Sequence, residues 1–105
     1  MTSMIRMTAA LFLTTMLTLP AHASSALANS NACMSCHAAD KKLVGPAYRE
    51  VAKKYASQKD AAAMLAKSIK AGGSGKWGPV PMPAQPALSD ADALTLAQWI
   101  LGGAK

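Results

Sequence analysis

The stretch Asn31–Asp40, NACMSCHAAD, sets Cys33, Cys36 and His37 within five positions of one another. Three such side chains commit a 105-residue chain to one piece of chemistry, and that chemistry decides what its core is built around. A short disulfide, a zinc site, a thiol-redox pair and a covalently held haem all use these residue types. The rest of the sequence has to choose among them.

Much of the N-terminal segment is not expected to belong to the folded protein. Arg6 sits in a short basic region, Met7 to Leu19 is an apolar run, and Pro20 breaks any helix. Ala21-His22-Ala23 then forms a small-x-small cleavage site, the pattern of a secretory signal peptide. The apolar run is shorter than the ~20 helical residues that a membrane span needs, so no stable membrane insertion is expected. Residues 1–23 are therefore expected to be removed, leaving residues 24–105 as one domain in an exported, oxidising compartment. The mature chain keeps Cys33, Cys36, a single histidine, His37, and three methionines, Met34, Met64 and Met82. A hydrophobic core in so short a chain supplies only about 3–5 kcal/mol, so a staple or a cofactor is expected.

The mature sequence reads as all-α, with no internal repeat and no second domain. Leu27 to Cys36 lacks helix breakers. Gly45-Pro46 opens a clearer helix whose Ala47, Tyr48, Val51, Ala52 and Tyr55 form one apolar stripe, with both tyrosines as core residues. Glu50 and Lys54 have the spacing of a helical ion pair. Asp60 is a candidate cap for a third helix that carries Ala61, Met64, Leu65 and Ile69 inward and stops at Gly72-Gly73. The stretch GGSGKWGPVPMPAQPAL is too rich in glycine and proline for a regular element. Ser89 caps the last helix, with Asp90 and Asp92 in its first turn, Leu94, Ala97 and Leu101 on one face, and Leu96 and Ile100 beside it.

Structural zinc takes four protein ligands, and Cys33, Cys36 and His37 are too few and too crowded for a tetrahedron. A thioredoxin-like pair belongs in a βαβ pattern, which is missing. A Cys33–Cys36 disulfide closes a loop too short to restrain the unfolded chain much. Cys-x-x-Cys-His is the attachment pattern of c-type haem: two thiols add to the porphyrin vinyl groups, and the next residue offers an imidazole to the iron. Met82 is the candidate for the other axial position. It stands in PVPMPAQP, where prolines stiffen the backbone and there is no helix face for it to fill. Met34 lies between the attachment points, and Met64 reads as core filler. A thioether ligand favours ferrous iron, and a six-coordinate site disfavours oxygen and peroxide chemistry. Both features suit electron exchange.

The chain resembles the short bacterial class I cytochromes c of the five-fifty-one type, through CMSCH, VGPAYREVAKKYA, KWGPVPMP and SDADALTLAQWIL. The third of these is the most specific. The resemblance implies a compact four-to-five-helix fold wrapped around one haem c, with the N- and C-terminal helices crossing. Cys33 and Cys36 match the thioether positions, His37 the proximal ligand and Met82 the distal one. Pro46 matches the proline whose carbonyl accepts the other imidazole N–H. Trp77 matches the indole that donates to a haem propionate, and Gln85 the amide that donates to the methionine sulfur. Ser68 departs from the pattern, since some relatives carry a basic residue there. One extra residue falls between Gln85 and Ser89.

The resemblance further implies a monomeric periplasmic electron carrier, not an enzyme. It would pass electrons from a membrane respiratory complex to a terminal reductase or oxidase, such as the haem cd nitrite reductase known for the family. A small haem peroxidase or gas-binding sensor with a labile Met82 bond is the alternative. The formal charge of +6 fits acidic redox partners, with Lys41, Lys42, Lys53, Lys54, Lys70 and Lys76 around a rim of Met34, Leu43, Val44, Pro79, Val80, Pro81 and Pro83. An exported chain without a nucleic-acid motif is not expected to bind nucleic acid.

Overall fold

The computed structural model describes residues 21–105, and Leu13 before them, with side chains described from Ser24 onward. Apart from Leu13 and the backbone of residues 21–23, the expected signal peptide lies outside the described residues. Four helices follow in order: α1 (Ala21–Ser30), α2 (Tyr48–Tyr55), α3 (Ala61–Ala71) and α4 (Asp90–Leu101), with a single 3-10 turn at Cys33–Ser35. Among the described residues there is no strand, only one isolated bridge between Gly73 and Met82.

The helix expected over Leu27–Cys36 divides into two parts. α1 begins at Ala21 and stops at Ser30, where Asn31 folds back so that its side-chain amide donates to Leu27 O at 2.9 Å. Ala32 then takes a left-handed φ of 58°. That reversal ends the helix and delivers both cysteines on a separate tight turn, with Cys36 N and His37 N both donating to Cys33 O.

α4 is the hub, packed against α1, α2 and α3. Its buried stripe is Ala93, Leu96, Ala97 and Ile100, at i, i+3, i+4 and i+7. Leu94, expected on that face, is instead 39% exposed. The true stripe is centred on the two alanines, and leucine content alone put the phase wrong. Ala93 and Ala97, with Ala28 of α1, are fully covered. Such small side chains let helices approach closely, since the separation of packed helices follows the side chains at the contact. α2 contributes Tyr48, Val51 and Tyr55 to this core, and α3 contributes Leu65, Ala66 and Ile69. Met64 of α3 points away, 42% exposed, because it sits across the helix from the Leu65–Ala66–Ile69 stripe.

The caps divide in the same way. Ser89 Oγ accepts from Asp92 N at 3.0 Å and caps α4 as expected, whereas Asp60 makes no side-chain cap on α3. Ser89→Ala should cost about 1 kcal/mol, read as a lower urea midpoint with an unchanged slope. Glu50 pairs with Lys53 at 3.5 Å and not with Lys54, which is drawn instead toward the loop after α3. No helix of the described residues is long and apolar enough to cross a membrane.

Candidate functional site

Between α2, α3, the cysteine turn and the Gly/Pro-rich loop lies a cleft of about 490 Å³. Cys33, Cys36, His37, Pro46, Trp77, Met82 and Gln85, all singled out in the sequence, line this one cleft. Its apolar walls come from Val51, Leu65, Ile69, Leu96 and Ile100, and Tyr48 and Tyr55 line it as well.

His37 is held on three sides. Its Nδ1 lies 2.8 Å from Pro46 O. A carbonyl can only accept, so Nδ1 donates here, which leaves Nε2 as the ring nitrogen available to a metal. Tyr48 stacks on the ring, with centroids 5.0 Å apart and planes 15° from parallel, and the edge of Trp99 closes on Tyr48 at 5.5 Å. On the remaining side is Gly45, where an added Cβ would come within 2.5 Å of His37 Cε1. The backbone there is fixed by Gly45 N donating to Cys36 O at 2.7 Å. Neither Gly45 nor the Tyr48 stack was visible as a site feature in the sequence, where both read as parts of an ordinary helix start.

Met82 is clamped through its backbone. Gly73 N donates to Met82 O at 3.1 Å, and Met82 N donates to Gly73 O at 2.7 Å. Gln85 N then donates to Lys70 O at 3.0 Å, so the methionine loop is tied to the end of α3 at both ends. Gly72 makes this possible. It has φ 66°, and an added Cβ would meet Met82 O and Ala84 N at 2.6 Å. Backbone atoms cannot yield as a side-chain tip can. Gly72→Ala should therefore destabilise by about 1–3 kcal/mol and loosen Met82, which a lower thermal midpoint would register. The paired glycines read in sequence as a helix stop, and they also build the shelf that carries Met82. The segment from Gln85 to Ser89 makes a turn, with Leu88 N donating to Gln85 O and Leu88 buried.

The other expected site residues are placed less completely. Trp77 is 38% exposed at the cleft mouth, with Lys54 Nζ 4.5 Å above its ring. Gln85 lines the cleft, but its side chain makes no hydrogen bond to the Met82 sulfur. Of the six lysines expected around the rim, only Lys42 and Lys76 line the cleft. Lys53 is turned to Glu50, and Lys70 pairs with Asp90 across the α3–α4 groove, holding that carboxyl below its ordinary range by hydrogen bond and charge.

The protonation chemistry of the turn separates the remaining alternatives. Burial pushes the Cys33 thiol above its ordinary value, against a smaller opposing backbone hydrogen bond. A redox thiol needs the opposite shift. The Tyr48 phenol is also raised, first by burial and then by negative charge on Cys33 and Cys36, and the second cause vanishes once both sulfurs are thioethers. Among the described residues no three His, Cys, Asp or Glu side chains gather in a way that could hold a metal ion. What remains is an apolar slot with two thiols at one wall, an imidazole fixed beside them and a clamped methionine. This set fits a haem bonded through sulfur.

An all-helical fold with such a slot defines a haem-binding protein of the c type. Residues 21–104 match the family model described as Cytochrome c. The chain is 58% identical over 79 residues to cytochrome c-552 of Hydrogenobacter thermophilus, covering 75% of this chain and 80% of that one. It is 55% identical over 75 residues to cytochrome c-551 of Azotobacter vinelandii, covering 71% and 90%. The crystal structure of Nitrosomonas europaea cytochrome c552 superposes with a TM-score of 0.72 at 51% identity, covering 74% of this chain and 96% of that one. The chain belongs to the class I cytochromes c, of the c-551/c-552 type. It is a monohaem electron carrier rather than an enzyme, and its cofactor is covalently bound haem c.

Proposed function

We propose that residues 24–105, freed of a signal peptide, form a periplasmic carrier with Cys33 and Cys36 as the thioether anchors and His37 and Met82 as the axial ligands. Pro46, Trp77 and Gln85 support those groups from the surrounding shell. The carrier moves single electrons from a membrane respiratory complex to a terminal reductase or oxidase. Bound haem supplies an iron that cycles between ferrous and ferric states, with a potential set by its axial ligands. The observation that carries this reading is the convergence of Cys33, Cys36, His37 and Met82 on one cleft, with both ligand-bearing segments clamped by backbone hydrogen bonds.

The chain's own residues supply what a carrier needs. Pro46 O and the Tyr48 ring hold the imidazole against rotation. The Gly72–Gly73 shelf limits how far Met82 can move. Fixed groups on both sides leave little to rearrange when the charge changes. At the cleft mouth, Val44 and Val80 are 55% and 59% exposed beside Pro79 and Pro81, with Lys42 and Lys76 at hand. An apolar patch with cations suits brief docking to an acidic partner, steered by charge.

Carbon monoxide titration of the ferrous protein at neutral pH tests the ligand assignment. A firmly seated Met82 should resist the gas. Rapid binding would point to a sensor or peroxidase with a labile sixth ligand.

A further inference from the structure

Lys54, Tyr55, Lys76 and Trp77 form one corner of the cleft mouth. Lys76 Nζ donates to Tyr55 Oη at 2.8 Å and lies 5.4 Å from the centroid of that ring. Lys54 Nζ donates to Lys76 O at 3.4 Å and sits over the Trp77 ring. Two ammonium groups are thus brought to one small region, although like charges repel. Among the described residues neither has a carboxylate partner, since the ion pairs there are Lys53–Glu50 and Lys70–Asp90. Both lysines spend their hydrogen bonds on neutral oxygens. Tyr55 is 2% exposed, so its hydroxyl is a fixed anchor that aims Lys76 at the cleft instead of leaving it to sweep through solvent. Ser68, which also lines the cleft, brings no charge.

We infer that Lys76, held by Tyr55, is the cation that meets a carboxylate of the bound haem, taking over the charge that Ser68 cannot supply. Haem carries two propionates, and an acid placed in a largely apolar slot needs a cation or several donors to stay ionised. Trp77, next in sequence, adds an indole N–H donor, and Lys54 adds a second positive charge behind it. This assignment rests on the cytochrome reading and sharpens it: Lys76 sets the acid strength of that carboxylate and so the pH dependence of the potential.

The sign follows from charge. A carboxylate facing Lys76 stays ionised through the neutral range, so the potential should be nearly flat there. Without the lysine the acid becomes about tenfold weaker, and its ionisation moves toward neutral pH. Each ionisation adds negative charge and favours ferric iron, so the potential would then fall as pH rises.

The test measures midpoint potential against pH, together with the visible spectrum, for haem-loaded wild type, K76Q, K76R and Y55F. K76Q should gain a pH-dependent step and, above it, lie at a lower potential than wild type, with an unchanged c-type spectrum. K76R should restore the wild-type curve. Y55F, which frees the lysine without removing its charge, should show a smaller shift of the same sign and gives a second comparison if K76Q loads haem poorly. Superimposable curves in haem-bearing wild type, K76Q and Y55F would overturn the assignment alone, as would a shift produced by K42Q and not by K76Q. A loss confined to the rate of reaction with a redox partner would also overturn it, by making Lys76 a docking charge only. A wild-type protein without haem would overturn the cytochrome reading along with it.

Discussion

Without haem, the Cys33→Ala/Cys36→Ala protein should be largely disordered, with most of its far-UV helical signal lost. The cleft between α2, α3, the cysteine turn and the Met82 loop measures about 490 Å³. Cavities in protein cores cost about 24 cal/mol per Å³, so leaving this one empty costs up to about 12 kcal/mol. The cleft opens to solvent, which makes that figure an upper bound. Even half of it rivals the ~5–15 kcal/mol by which a domain is stable. The walls that would be exposed include Val51, Leu65, Ile69, Leu96 and Ile100, much of the core that α2, α3 and α4 share. A cooperative thermal transition in the haem-free double variant would show that the four helices support themselves.

Met82→Ala should have the larger effect on function. It removes the soft thioether while leaving the Gly72–Gly73 shelf and the proline-stiffened backbone in place. The potential should then fall by a sizeable part of the ~0.8 V that axial ligands span, and the ferrous protein should bind carbon monoxide readily. Stability should suffer less than in the haem-free variant, because only one partly buried side chain is lost from the edge of the core. An unchanged potential and continued resistance to the gas would place the sixth ligand elsewhere. Met34 and Met64 are the other methionines of residues 24–105. Met34 packs on the core at the cysteine turn without lining the cleft, and Met64 faces solvent.

What was legible in the sequence was the part fixed by residue type and short spacing. Cys33, Cys36 and His37 announce their chemistry in five positions, prolines mark the Met82 loop as irregular, and Ser89 caps α4 where a capping residue should stand. The order and number of helices also followed from local pattern. Contacts between distant segments were hidden. Gly45 and Gly72 matter because a Cβ would strike His37 or the Met82 backbone, and a glycine at a helix end looks the same whether or not something presses on it. Tyr48 fits a core stripe equally well with or without an imidazole stacked on it. Met64 and Leu94 were assigned inward because they are apolar, yet α3 buries Leu65, Ala66 and Ile69 and α4 a stripe built around Ala93 and Ala97, phases set by which neighbouring helices press on them. The lysines divided for a related reason. Surface cations choose partners in space, so Lys70 found Asp90 from α4, and Lys76 found Tyr55 from α2.

Intact mass spectrometry of protein purified from its native host, read beside its visible spectrum, tests the central claim most directly. The account predicts a chain heavier by one haem, with Cys33 and Cys36 both consumed and a sharp c-type band on reduction. A colourless protein whose two thiols react freely with an alkylating reagent would contradict it.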